Sequence, residues 1–263
     1  MPRLPRHRPR LRGQSLARLI PNMVTVMALS AGLTSIRFAF EGKFQLAVIA
    51  IILAAVLDAL DGRIARLIGA TSRFGAELDS LSDFISFGVA PAIVLYLWCF
   101  ADSGRIGWAA VLLFAVCMAL RLARFNSALD DPDRPAWASN YFTGVPAPAG
   151  AGLVLMPLVA SFDLDVFWLN RPVWVGAWMV IVAGLTVSRL PTFAFKKLKV
   201  RHWMVAPVLA VAGALFAGLA SEPWLTLVGL GAIYLATIPL SIRAVRRHAR
   251  AAAPEPVSPA ASP

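Results

Sequence analysis

Apolar runs of bilayer length dominate this chain, and aspartates sit at the ends of two of them. A helix needs about 20 predominantly apolar residues to cross a bilayer. Runs at about 19–40, 46–66, 80–100, 106–127, 147–162, 173–190, 204–221 and 225–243 approach or reach that length. The run at 147–162 is short and carries Pro148 and Pro157. Hydrophobic residues make up 59% of the chain, with a mean hydropathy of +0.70. A soluble domain holds roughly 45–50%. The sequence therefore predicts an all-α, polytopic integral membrane helical bundle of about eight transmembrane helices. It shows no internal repeat and no second, soluble domain.

The basic residues predict an orientation. With eight spans both termini share one side, and that side takes 21 of the 25 Lys and Arg residues. Arg37, Lys43, Arg105 and Arg171 remain on the other. Cytoplasmic loops carry such an excess, so both termini are expected to be cytoplasmic and the membrane to be the inner, cytoplasmic one. Residues 1–14 form an Arg- and Pro-rich arm, expected to be disordered and too polar for a signal peptide. Such an arm fixes topology and touches anionic lipid. Residues 15–20 can open an interfacial helix leading into a membrane domain over 15–248. The Ala, Pro and Ser tail 249–263 is expected to be disordered. The net charge of +11 is spread over membrane loops, so no nucleic-acid partner is expected. Tryptophans near span ends, such as Trp168, Trp174, Trp203 and Trp224, suit interfacial anchoring.

Five of the chain's 14 acidic residues fall within 58–83: Asp58, Asp61, Glu77, Asp79 and Asp83. A carboxylate near a bilayer is costly unless it meets a partner or a wet cavity. Asp58 and Asp61 are three apart and Asp79 and Asp83 four apart, so each pair shares a helix face. Gly62, Ala65 and Gly75 let a backbone or ligand come close. The pattern predicts two helices meeting at their ends, each aiming a carboxylate pair into one cleft. Oxygen ligands without His or Cys suit a hard cation, Mg²⁺ or Mn²⁺. Arg66, Thr71, Ser72 and Arg73 lie between the pairs and can donate to phosphate oxygens. Metal, arginine and glycine together equip a site for phosphoryl transfer.

Other residue types narrow the chemistry. Cys99 and Cys117 sit inside predicted spans with no third thiol, and read as packing residues. His7, His202 and His248 lie in basic loops or tails, so a carboxylate must serve as the base.

Residues 58–83 fit Asp-x2-Asp-Gly-x2-Ala-Arg-x8-Gly-x3-Asp-x3-Asp. On these eight positions the chain resembles the CDP-alcohol phosphatidyltransferases, integral membrane enzymes of phospholipid synthesis. Further segments resemble the branch of that family whose acceptor is serine. They are Pro21-Asn22-Met23-Val24-Thr25, Gly32-Leu33-Thr34-Ser35-Ile36, Arg121-Leu122-Ala123-Arg124-Phe125-Asn126, Gly144-Val145-Pro146-Ala147-Pro148, and Ser188-Arg189-Leu190-Pro191-Thr192-Phe193 with Lys196-Lys197. The resemblance covers about residues 18–245 and leaves the connection 129–140 without a clear pattern.

The resemblance implies that Asp58, Asp61 and Asp79 hold divalent metal, and that Asp83 assists and acts as general base. It implies that Gly62, Ala65, Arg66 and Gly75 shape the CDP pocket, with Thr71 and Ser72 beside them. The implied reaction joins CDP-diacylglycerol and L-serine into phosphatidylserine and CMP, in a homodimer surrounded by membrane lipid. A serine pocket needs a cation for the carboxylate, and Arg121, Arg124 and Asn126 are its candidates. Arg189, Lys196, Lys197, Lys199 and Arg201 read as an ordinary basic loop after a span. A sister enzyme using choline, glycerol phosphate or inositol phosphate is the alternative acceptor reading. A divalent-cation or proton-coupled transporter is the alternative from another class, though such proteins often show repeats and place acids near mid-membrane.

Overall fold

In the computed structural model of the protein, residues 19–129, 141–166, 169–188, 190–193 and 204–251 are described. The expected arm 1–14, residues 252–263 of the expected tail, and Arg189, Lys196, Lys197, Lys199 and Arg201 lie outside them. So do Trp168, Trp203 and His202.

Nine helices succeed one another among the described residues: α1 Ile20–Phe40, α2 Phe44–Leu67, α3 Arg73–Phe100, α4 Gly104–Leu129, α5 Ala147–Val154, α6 Met156–Ala160, α7 Pro172–Val187, α8 Val205–Ser221 and α9 Pro223–Ala251. The protein is a polytopic helical membrane protein. Among the described residues, five helices are long and apolar enough to cross a membrane: α1, α2, α3, α4 and the Pro223–Arg243 part of α9. The expected sixth and seventh spans are the shorter apolar helices α7 and α8. α9 runs on to Ala251, past the expected end of the membrane domain at 248.

The third span begins earlier than hydropathy suggests. Expected from about 80, α3 starts at Arg73, because Ser72 adopts extended angles and its hydroxyl accepts from the Gly75 amide at 3.0 Å. That N-cap adds a polar first turn which an apolar-run reading leaves in the loop. Gly69, at φ 61°, closes the preceding turn in the left-handed region that favours glycine. Phe84–Val89 and Tyr96–Phe100 within α3 are π-helical. A π turn shifts the angular register of a helix, and such turns concentrate at functional sites. Here the first one begins directly after Asp83.

The expected fifth span, 147–162, is split into α5 and α6. Pro157 has no amide hydrogen, so the Leu153 carbonyl four residues earlier loses its helical donor. The Trp178 indole on α7 donates to that carbonyl at 2.7 Å. A neighbouring helix thus supplies the hydrogen bond that lipid cannot.

α1 and α2 pack through small residues. Ala28, Ala31, Gly32, Ser35 and Ala39 on α1 are buried, as are Ala47, Ala50 and Ala54 on α2. Close backbone approach of this kind substitutes for the hydrophobic drive that is missing between helices in lipid. The central core is larger-grained: Phe87 and Leu95 of α3, Phe114 and Met118 of α4, Leu153 and Leu158 of α5 and α6, and Met179 of α7. Besides helices, the described residues hold a two-stranded antiparallel pair, β1 Tyr141–Thr143 with β2 Pro191–Phe193. The all-α expectation omitted it. The Gly144 amide extends the pairing by donating to the Leu190 carbonyl at 2.8 Å.

Candidate active site

The C-terminal turns of α2 and the N-terminal turns of α3 are joined by five residues, Ile68–Ser72, so their carboxylate faces meet at one end of the bundle. One carboxylate oxygen from each of Asp58, Asp61 and Asp79 lies within 4.8 Å of the others. Asp61 is 4% exposed, while Asp58 and Asp79 are half-buried. Asp83 lies one turn deeper along α3 and in side-chain contact with Asp58. Its buried Oδ1 has no hydrogen-bond partner among the described residues. None of the four forms an ion pair among the described residues, where the ion pairs are Arg37–Glu41 and Lys43–Glu41.

A metal fits this geometry. Converging carboxylates without a counter-charge repel one another, and a cation relieves that. The donors are all oxygens, which suits Mg²⁺ or Mn²⁺ rather than a thiophilic ion. The orphaned Asp83 oxygen is a buried acceptor in need of a partner.

Beside the cluster lies a cavity of about 360 Å³, lined by Asp61 and Asp79 on one side. The predicted pocket residues Gly62, Ala65, Arg66, Thr71, Ser72 and Gly75 all line it. A Cβ at Gly62 would meet nothing closer than the Arg66 guanidinium at 3.8 Å, so its glycine leaves open floor for a ligand. A Cβ at Gly75 would lie 2.9 Å from Asn22 Oδ1 and 3.1 Å from Ser72 Oγ. There, glycine lets α1 close against α3. The cavity volume falls within the roughly 300–1,000 Å³ of small-molecule sites.

The three acceptor candidates on α4 have different surroundings. Arg121 is 8% exposed, with its guanidinium 5.9 Å above the Phe125 ring and within electrostatic reach of Asp83 and Asp58. Its buried Nε has no hydrogen-bond partner among the described residues. Arg124 turns to α7 instead. Its two terminal nitrogens donate to the carbonyls of Val187 at 2.6 Å and Ser188 at 3.0 Å. That satisfies helix-end carbonyls and complements the dipole. Asn126 donates through Nδ2 to Ser80 Oγ at 2.9 Å, tying α4 to α3 between Asp79 and Asp83. Three residues on a helix stand about 60° apart, enough to send the two arginines to different neighbours.

Sequence reasoning placed no site role on α1, yet Pro21, Asn22 and Thr25 line the cavity. Thr25 Oγ1 donates to Asp61 Oδ2 at 2.6 Å across 36 residues. A polar pair, Asn22 and Thr25, three apart at the start of an apolar helix was the available signal.

A family model described as CDP-alcohol phosphatidyltransferase matches residues 18–188, and another, CDP-alcohol phosphatidyltransferase 2, matches residues 203–239. The CDP-diacylglycerol–serine O-phosphatidyltransferase of Mycobacterium leprae is 40% identical over 235 residues, covering 89% of this chain and 78% of that protein. The protein of the same name from Helicobacter pylori strain 26695 is 37% identical over 181 residues, covering 69% and 74%. The archaetidylserine synthase of Methanothermobacter thermautotrophicus is 37% identical over 151 residues, covering 57% and 59%.

Proposed function

The chain belongs to the CDP-alcohol phosphatidyltransferase family, and from that premise we propose that it transfers the phosphatidyl group of CDP-diacylglycerol to the hydroxyl of L-serine, giving phosphatidylserine and CMP. It is an enzyme of phospholipid synthesis with its chemistry at one end of a membrane helical bundle. The observation that carries the reading is the convergence of Asp58, Asp61 and Asp79 beside a cavity floored by Gly62. The similarity to serine-using relatives over most of the chain favours serine over choline, glycerol phosphate or inositol phosphate.

Asp58, Asp61 and Asp79, with Asp83 alongside, would hold a divalent cation, Mg²⁺ or Mn²⁺, which when bound offsets diphosphate charge and polarises phosphoryl oxygens. Arg66 on the cavity wall pairs with the diphosphate, and Gly62, Ala65, Thr71, Ser72 and Gly75 shape the space for the CDP group. The serine hydroxyl attacks the phosphorus that carries diacylglycerol. A new serine O–P bond forms, the P–O bond to CMP breaks, and the hydroxyl proton passes to Asp83. Its Oδ1, without a hydrogen-bond partner among the described residues, can receive that proton. Arg121 clamps the serine carboxylate, since a buried guanidinium near Asp83 supplies the missing counter-charge.

The same reading places the site on the cytoplasmic side of the inner membrane, with eight spans, both termini cytoplasmic and two copies per assembly. The excess of Lys and Arg in the loops the sequence assigns to that side supports the orientation. Cysteines introduced at Arg73 and at Asp163 should label from the cytoplasm and from outside respectively.

The test uses purified protein, CDP-diacylglycerol, Mn²⁺ or Mg²⁺, and each alcohol in turn, with CMP release as the readout. L-Serine should support rapid release and the other alcohols little. Preferred use of another alcohol would reassign the acceptor.

A further inference from the structure

We propose that Thr25 is a positioning residue that sets the placement of the two carboxylate-bearing helices against each other, and so tunes the affinity of their cation site. The inference rests on the reading of the aspartate cluster as a divalent-cation site.

Thr25 is 4% exposed on α1, and it reaches both halves of the cluster through different atoms. Its hydroxyl lies 2.6 Å from Asp61 Oδ2 on α2 and 3.1 Å from the Pro21 carbonyl. A hydroxyl has one proton, and the shorter, charge-assisted contact to the carboxylate takes it. Its backbone carbonyl accepts from Ser82 Oγ on α3 at 3.3 Å. Ser82 is itself 4% exposed and adjoins Asp83. A single α1 residue therefore grips the helix of Asp58 and Asp61 by a side chain and the helix of Asp79 and Asp83 by a carbonyl.

The consequence is geometric. Donation to Oδ2 fixes the orientation of the Asp61 carboxylate. Outer partners of this kind orient ligands, and their loss costs about 10- to 100-fold in metal affinity. Threonine is stiff at χ1, so the hydroxyl is held in place before any cation arrives.

The experiment measures Mn²⁺ binding to the purified full chain in detergent, by the electron paramagnetic resonance signal of free Mn²⁺, without substrate or turnover. Thr25→Val keeps the branched shape and deletes the donor, and should weaken Mn²⁺ binding about 10-fold or more. Thr25→Ser keeps the hydroxyl and should stay close to the parent. Parental affinity in Thr25→Val overturns the inference, as does an equal loss in Thr25→Ser, which would point to packing. If Thr25→Val does not yield folded protein, Ser82→Ala decides. It cuts only the second link, and a weaker site supports the inference while an unchanged one overturns it. Asp61→Asn separates the layers. Lost binding there with parental binding in Thr25→Val defeats the Thr25 role alone, whereas parental binding in Asp61→Asn removes the cation-site reading and the inference together.

Discussion

The first four helices and the last two differ in what they bury. Within α1 to α4, Thr25, Ser35, Asp61, Ser82, Ser86 and Arg121 are all buried. α8 buries none of its residues, and among the described side chains of α9 only Ile238 and Ser241 are buried. Phe216 on α8 is 77% exposed and Ile233 on α9 64% exposed. Such faces belong in lipid or against another apolar surface. Polar atoms inside a bilayer are tolerated where helices satisfy each other, and that is where chemistry can be built. The contrast separates a half selected for placement of charge from a half selected for contact with its surroundings.

The comparison breaks first at Asp83. Asp83→Asn keeps the size and removes the charge, so CMP release should fall by at least about 10²-fold while CDP-diacylglycerol still binds. Steady-state turnover and substrate binding, measured side by side, check this. Near-normal turnover would remove Asp83 as the base.

The two arginines of α4 sharpen it next. Arg121→Ala should raise the serine KM roughly 10- to 100-fold, equivalent to losing a charged hydrogen bond worth about 1.5–3 kcal/mol, and leave the CDP-diacylglycerol KM nearly unchanged. Arg124→Ala loses its contacts to the end of α7 and should instead lower stability by about 1.5–3 kcal/mol, seen as a reduced midpoint of thermal unfolding in detergent. The reverse pattern would exchange their roles.

One glycine in each group of helices tests its packing. A Cβ at Gly32 would stand 2.8 Å from the Ser86 Cα, so Gly32→Ala should destabilise by about 1–3 kcal/mol through overpacking. Gly213 on α8 has nothing within 4 Å of its Cβ position, and Gly213→Ala should be neutral or stabilise by up to about 1 kcal/mol. The smallest effect belongs to Phe216→Leu, expected within about 0.5 kcal/mol of the parent in thermal unfolding. A larger loss would mean that a second copy covers this face.

Much of the site half was legible because its signals are local. The Asp58–Asp61 and Asp79–Asp83 spacings fix which carboxylates share a face, and the glycines beside them mark close approach. The boundaries of α1, α2 and α4 reflect run length. The hidden features depend on tertiary contact or on single backbone events. Hydropathy begins the third span near residue 80, but Ser72 caps the polar stretch before it into the same helix. The π turns after Asp83 leave no mark that apolar content records. Arg121 and Arg124 look equivalent in sequence and separate only when α7 brings its C-terminus to one of them. Thr25 meets Asp61 only after α1 and α2 pack against each other.

The most direct test of the account is metal-dependent stoichiometry. Purified protein with CDP-diacylglycerol and L-serine should form phosphatidylserine and CMP in equal amounts. Both products should fall to background in excess chelator and return with Mg²⁺ or Mn²⁺, while Asp61→Asn should stay near background throughout. Full turnover in excess chelator, or parental turnover in Asp61→Asn, would contradict the assignment of the aspartate cluster as the seat of the reaction.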